Sequence, residues 1–292
     1  MLNFDKILII DFGSQVTKLI ARRLRELNYY SLIVNHDISL AEVKQLKPKA
    51  IILSGGPASV YDQTRPAFDQ RLLDLNLPYL GICYGMQLIA EHFGGKVLPA
   101  QEREYGKAKL IIQKDDRLFA NYAKLKQEPI VWMSHGDKLT ELPPKFTVLA
   151  ANAASPHAVI KHQERLIYAL QFHPEVTHSP KAAQLLGNFC QQAGAKNNWT
   201  VGNYLTEILE KIRQQVGNER VICGLSGGGD SSVTAAILER AIGDQLVAIF
   251  VDTGLLRKNE AAEVSQIFGQ GQINFRKLAA GHKFFKALKG VS

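Results

Sequence analysis

Leu80-Gly81-Ile82-Cys83-Tyr84-Gly85-Met86-Gln87 is the stretch whose reading decides the fold. Upstream, Leu77, Tyr79, Leu80 and Ile82 form an apolar run that reads as a buried strand. From Tyr84 to Phe93 the apolar spacing is helical, and Gly94-Gly95 closes it. A Gly-x-Cys-x-Gly between a strand and a helix is the cysteine form of a nucleophile elbow, in which small neighbours allow a strained turn that presents the nucleophile. The helix dipole at such a position favours the thiolate, which is the reactive form. A free thiol is more often buried and inert. The glycines two positions away on both sides of Cys83 favour the nucleophile.

A nucleophilic thiol needs a proton carrier, and Leu170-Gln171-Phe172-His173-Pro174-Glu175 offers one. Leu166 to Phe172 reads as a strand. Residues two apart on an extended backbone point the same way, so His173 and Glu175 can face one cleft while Pro174 ends the strand. An imidazole that moves the proton and a carboxylate that holds its tautomer complete a Cys83/His173/Glu175 triad. Trp132-Met133-Ser134-His135-Gly136-Asp137 holds a second histidine. Its glycine and polar neighbours read as a loop. His135 ranks below His173 as a base because only His173 has a carboxylate at the right spacing, and it reads as a substrate contact.

The 292 residues suggest two domains, and 46% hydrophobic content can fill a core for each. No apolar stretch reaches membrane-spanning length, and Asn3-Phe4-Asp5-Lys6 is no signal peptide. Cys83, Cys190 and Cys223 are a sparse, odd set without metal spacing, which points to a reducing cytoplasm. The net charge of +8 is spread along the chain, which argues against a nucleic-acid tail and remains compatible with anionic small molecules.

Lys6–Asp11, Tyr30–Val34 and Ala50–Leu53 read as strands. A helix lies between the first two, with Val16, Leu19, Ile20, Leu24 and Leu27 on one face, and a helix capped by Ser39 runs from Leu40 to Leu46. This alternation predicts a mostly parallel α/β sheet covered on both faces. Between Lys109 and Phe172, shorter segments such as Thr147–Ala151 and Ala158–Lys161 read as antiparallel strands. The first domain is placed at 1–193, a small, polar linker at 194–202, and a second α/β domain at 203–292. That domain has helices over Tyr204–Val216, Ser232–Ile242 and Glu260–Phe268, and strands over Arg220–Leu225 and Gln245–Val251.

Two glycine loops leave strand ends, where open α/β sheets place their ligands. In Ser54-Gly55-Gly56-Pro57, the backbone N–H groups of the glycines suit an oxyanion, with the Tyr84 N–H as second donor. Gly224-Leu225-Ser226-Gly227-Gly228-Gly229-Asp230-Ser231-Ser232 stands between strand and helix as a phosphate cradle. Asp230 occupies the position a Walker loop gives to lysine, so that reading fails. Hydroxyls at Ser226 and Ser231, glycine amides and Asp230 for a magnesium ion suit a pyrophosphate instead.

These motifs carry a resemblance. Gly81–Gly85, His173-Pro174-Glu175 and Ser54–Pro57 resemble the class I glutamine amidotransferases, and Ser226–Ser231 resembles the loop of the N-type ATP pyrophosphatases. With Asp11-Phe12-Gly13-Ser14-Gln15 and Val251–Glu260, the two modules together resemble the glutamine-hydrolysing GMP synthetase family along nearly the whole chain. The resemblance implies a flavodoxin-like first domain and an adenine nucleotide α-hydrolase-like second one. It implies a glutamine and oxyanion site of Gly55, Gly56, Tyr84, Gln87, Ser134 and His135, and an ATP site over Ser226, Gly227, Gly228, Gly229, Asp230, Ser231 and Ser232. Ammonia from glutamine would aminate xanthosine monophosphate (XMP) activated by ATP and Mg²⁺, giving GMP, AMP and pyrophosphate. No tightly bound organic cofactor, nucleic acid or membrane is implied. The family has a β-branched residue where Gly229 stands and an acid within Lys277–His282. It continues into the rest of the pyrophosphatase domain and a C-terminal dimerisation domain, so the resemblance implies a truncated chain that retains glutaminase, with the full-length family homodimeric. Two other readings keep fewer of these motifs: a glutaminase serving another acceptor, and a non-catalytic nucleotide-binding fragment.

Overall fold

Alternating β and α segments build two units, Phe4–Thr200 and Val201–Ser292. The computed structural model describes residues 4–269 and 273–291; Asn3 of the N-terminal stretch and Ser292 lie outside the described residues. The polar stretch after Ala193 belongs to the first unit. Backbone N–H groups of Ala195 and Trp199 bond to the carbonyls of Cys190 and Asn28 at 3.0 and 2.9 Å, and that of Lys196 to the Asp5 carboxylate at 3.0 Å. The first unit therefore runs to Thr200, and the next helix begins at Val201 rather than Tyr204.

In the first unit the elements run β1 (Lys6–Asp11), α1 (Thr17–Glu26), β2 (Tyr30–Asn35), α2 (Leu40–Leu46), β3 (Ala50–Leu53), β4 (Tyr79–Ile82), α3 (Tyr84–His92) and β5 (Lys96–Lys109). There follow β6 (Ile111–Ile112), β7 (Ile130–Glu141), β8 (Phe146–Ala151), β9 (Val159–His162), β10 (Ile167–Leu170) and α4 (Ala183–Gln192). The main sheet has the order β2-β1-β3-β4-β10-β9-β8-β6. Its first five strands are parallel, and β9, β8 and β6 continue it antiparallel.

Both faces of the parallel part are buried, which is why its strands are apolar at nearly every position. Along β1, Ile7 and Ile9 join a core with Ile20 and Leu24 of α1 and Leu185 and Phe189 of α4. Leu8 and Ile10 point the other way, into a core with Val43 of α2 and Met86 and Ile89 of α3. Ser39 caps α2 through a full capping box with Glu42. Apart from the main sheet, β5 and β7 form a long antiparallel ribbon with register shifts near Lys96 and between Pro99 and Glu104.

The second unit comprises α5 (Val201–Val216), β11 (Val221–Leu225), α6 (Gly229–Ile242), β12 (Leu246–Asp252), α7 (Glu260–Gly269), β13 (Asn274–Ala279) and α8 (Gly281–Leu288). Its three parallel strands lie in the order β11-β12-β13. Cys223, Leu225, Ala248 and Phe250 fill one face. On the other, Ile222 is 71% and Leu278 51% exposed. Among the described residues, no helix is long and apolar enough to cross a membrane.

Candidate active site

The chain leaves β4 at Ile82 and enters α3 at Tyr84, so Cys83 alone makes the turn, with φ 51° and ψ −105°. For a residue with a side chain such a conformation costs about 1–3 kcal/mol and persists only where its surroundings fix it. Three backbone bonds fix it here. Cys83 N–H donates to Leu170 O at 2.7 Å, Gly85 N–H to Ser54 O at 3.0 Å and Gln87 N–H to Cys83 O at 3.2 Å. The flanking glycines are a packing requirement. A Cβ on Gly81 would lie 2.6 Å from the Gly85 carbonyl, and one on Gly85 would overlap the backbone of Leu53.

β10 delivers the partner residues beside this turn, because β10 and β4 are parallel neighbours with Leu170 opposite Ile82. His173 Nδ1 and Glu175 Oε1 are 2.8 Å apart, and both residues are buried. Burial works against the charged ring. Hydrogen bonds to Cys83 and Glu175, and the charges of both, outweigh it and raise the His173 pKa from 6.5 to about 10. Arg23 of α1 donates from Nε to the Glu175 carbonyl at 3.0 Å. The second carboxylate oxygen of Glu175, Oε2, is buried without a hydrogen-bond partner among the described residues.

The opposite wall corrects one expectation. Ser134, His135 and Asp137 lie within strand β7, not in a loop, and Val131, Met133, His135, Asp137 and Leu139 alternate into the interior. The pairing partner is β5, whose polar sequence hides the strand pattern. Ser134 offers its carbonyl 3.6 Å from Cys83 Sγ. His135 is tied up elsewhere: Nδ1 lies 2.9 Å from Asp137 O and Nε2 3.1 Å from Glu104 Oε2. Burial would raise the Glu104 pKa, but hydrogen bonds from His135, Asn152 and Ser155 and the histidine charge hold it below the ordinary value. Asp137 accepts from Ser59 and Tyr61 hydroxyls, both at 2.5 Å. Glu104, Asn152, Ser59 and Tyr61 are absent from the sequence reading, since only the β5–β7 register and the folded loop bring them here.

Gly55 and Gly56 sit where side chains would not fit. A Cβ on Gly55 would meet His173 Cε1 at 2.9 Å, and one on Gly56 would meet Phe12 O at 2.8 Å. Ser54, fully buried, accepts from Phe12 N–H at 3.0 Å and donates to Gly55 O at 2.7 Å, pinning this loop to the end of β1. Cys83 borders two cavities. One, of about 340 Å³, is lined by Ser14, Gln15, Val16, Trp132 and Val176. The other, of about 500 Å³, is lined by Gln87, Arg103, Tyr105, Tyr61, His135 and Asp137. Gly56, Ser134 and Cys83 belong to both. Gln87 donates to Asp137 O at 3.4 Å. The structure thus gathers Cys83, His173, Glu175, Gly55, Gly56, Tyr84, Gln87 and Ser134 at one site, with His135 lining the larger cavity beside them.

In the second unit the loop after β11 is organised by its hydroxyls. Ser231 Oγ accepts from Ser226 N–H at 3.1 Å and lies 3.0 Å from Ser226 Oγ, while Ser232 Oγ donates to Gly228 O at 2.9 Å. Gly227 has φ 78°, and a Cβ there would meet Glu260 Oε1 at 2.9 Å. Gly229 begins α6, and a Cβ on it would meet nothing within 4 Å. Asp230 stands in the first turn of α6, and no cluster of three His, Cys, Asp or Glu side chains suited to a metal occurs among the described residues.

Residues 8–193 match the family Glutamine amidotransferase class-I, and residues 201–280 match the family NAD synthase. A glutamine-hydrolyzing GMP synthase of Staphylococcus aureus is 50% identical over 290 residues, which is 99% of this chain and 56% of that protein. The chain thus spans about half the length of the curated relatives it matches. A Thermoplasma acidophilum protein assigned as one subunit of a GMP synthase is similar with 34% identity and a TM-score of 0.59, over 66% of this chain and 95% of its own. A Thermotoga maritima glutamine amidotransferase shares the fold at 19% identity and a TM-score of 0.51, over 82% of this chain and 98% of its own.

Proposed function

The chain belongs to the class-I glutamine amidotransferase family, and we propose that its first unit hydrolyses the side-chain amide of glutamine with Cys83 as nucleophile. One observation carries the proposal: a cysteine on a strained elbow beside a buried His173–Glu175 pair whose imidazole holds its proton. The thiolate attacks the amide carbon, and the N–H groups of Gly56 and Tyr84, with Gly55 alongside, receive the developing oxyanion. His173, held by Glu175, gives its proton to the departing ammonia and leaves a thioester on Cys83. It then takes a proton from a water that attacks the thioester, releasing glutamate and restoring the thiolate. Gln87 and the Ser134 carbonyl line the substrate cavity, and His135 acts indirectly by fixing Glu104 and Asp137. The test is glutamate release from glutamine. It should disappear in Cys83→Ala, and a variant that still hydrolysed glutamine would overturn the assignment.

The second unit is part of a synthetase in this reading, whose relatives are about twice as long as this chain. The ammonia aminates XMP that ATP has activated as an adenylate, and GMP, AMP and pyrophosphate are released. The likeness to a GMP synthase along 99% of this chain supports it, as does the hydroxyl-rich loop at a helix start. Ser226, Gly227, Gly228, Gly229, Ser231 and Ser232 would hold the pyrophosphate of ATP. Magnesium is commonly held by one or two carboxylates together with substrate phosphates. Asp230, a single carboxylate at the helix start, fits a metal that arrives with ATP. A homodimeric whole protein and a cytoplasmic setting belong to the same proposal; the three cysteines are unpaired. Assaying GMP formation from XMP, ATP and Mg²⁺ beside glutamate release separates this reading from a glutaminase with another acceptor.

A further inference from the structure

We infer that Ser179 is a positioning residue of the site, a buried hydroxyl that locks the strand carrying Ser134 onto the segment carrying His173. Ser179 is 3% exposed and lies in the turn between Glu175 and α4. Its Oγ accepts from the Trp132 N–H at 2.8 Å and donates to the His173 carbonyl at 2.7 Å. The hydroxyl proton has one destination, because the Trp132 N–H is already a donor. His173 N–H returns a bond to Trp132 O at 3.1 Å, so the three residues close a ring. Ser179 is itself held by its backbone, donating to Val176 O and accepting from Ala182 N–H, both at 3.1 Å.

This ring sets a distance that the chemistry needs. Two residues beyond Trp132 on β7, the Ser134 carbonyl stands 3.6 Å from Cys83 Sγ. On the other side of the ring, His173 carries the imidazole that pairs with Glu175. Cys83 therefore sits between a wall and a base whose spacing the Ser179 hydroxyl fixes together with the direct His173–Trp132 backbone bond. An apolar residue at 179 would leave a half-buried N–H and a buried carbonyl unpaired, and only the His173–Trp132 backbone bond would then tie the two segments, letting them shift. Small displacements of this kind cost rate well before they cost the fold.

The inference deepens the glutaminase reading and rests on it for its meaning, but its first readout needs no glutamine. Alkylation of Cys83 by iodoacetamide at neutral pH, located by mass spectrometry, reports whether the imidazole still supports the thiolate. Ser179→Ala should slow this alkylation about 10-fold, and lower kcat for glutamine by a similar factor with KM changed less than about threefold. Ser179→Thr, which restores the hydroxyl, should recover both, and Ser179→Val, equal to Thr in size, should not. Thermal melts count the folded fraction. Unchanged alkylation and kcat in folded Ser179→Ala, with only a lower melting temperature, would overturn the inference, as would equal rates for the Thr and Val variants. Failure of both Ala and Val variants to fold would also overturn it, since the hydroxyl would then serve folding rather than alignment. Alkylation that follows Ser179 in a protein with no glutamine hydrolysis would leave the positioning role standing and remove the glutaminase reading.

Discussion

Cys83 pays for its position with a backbone angle that its own side chain disfavours, φ 51°. Glycine adopts that conformation freely, so Cys83→Gly and Cys83→Ala should both lose hydrolysis yet differ in stability. Urea unfolding should find the glycine variant more stable than the alanine variant by about 1 kcal/mol. Equal stabilities would mean that the elbow is not strained. His173 gives a second test. Its pKa is raised from 6.5 to about 10, so the stability it contributes is fully present below pH 6.5 and is lost as pH rises through about 10. Between these limits the wild type should lose more stability than His173→Asn, measured by urea midpoints at several pH values. A parallel pH dependence in the two proteins would remove the imidazolium from the account. The grouping of Cys83 with His173 and Glu175 was legible in the sequence because Cys83 follows β4 directly between Gly81 and Gly85, while His173 and Glu175 flank Pro174 shortly beyond β10. Glu104 and Ser179 were not, since the partners His135 and Trp132 lie 31 and 47 residues away along the chain.

Elements separate glycines that the fold requires from one it only tolerates. Gly85 lets α3 lie against β3, and Gly85→Ala should destabilise the first unit by about 3 kcal/mol, because the new atom meets Leu53 backbone that cannot turn aside. Gly229 has open space where a Cβ would go and an ordinary helical setting in α6. Gly229→Ala should therefore stabilise the second unit by about 0.5 kcal/mol, seen as slower amide hydrogen exchange along α6. Faster exchange would show that Gly229 holds a conformation only glycine permits. The same contrast explains what could be read beforehand. Strands β1, β3 and β4 are buried on both faces and leave unbroken apolar runs. β7 alternates buried and half-buried residues but places His135 and Asp137 on its inner side, so its polar text reads as a loop. β13 has one half-buried position among exposed ones and leaves no apolar pattern to find.

At the scale of the whole molecule the two units differ in how completely their sheets are covered. The parallel strands of the first are buried on both sides, whereas in the second β11 and β12 bury one side and the sheet leaves Ile222, Val251 and Leu278 at 71%, 39% and 51% exposure. Parallel sheets are ordinarily covered on both faces, so this arrangement is a source of instability and association. Both tryptophans, Trp132 and Trp199, lie before Val201, so fluorescence follows the first unit while far-UV circular dichroism follows both. Denaturant unfolding should accordingly begin in the dichroism at lower concentration than in the fluorescence, and coincident transitions would show one cooperative block. The exposed face gives the sharper test. A dye such as ANS should bind the native protein, and replacing Ile222 and Leu278 together by Thr should reduce that binding and any self-association. Threonine has the β-branched shape that suits a strand, so the exchange removes apolar surface without removing strand preference. Glutamine hydrolysis should not change, since Cys83, His173 and Glu175 all lie in the other unit. Dye binding that persisted undiminished would place the apolar surface elsewhere, on the exposed Phe284, Phe285 and Leu288 of α8.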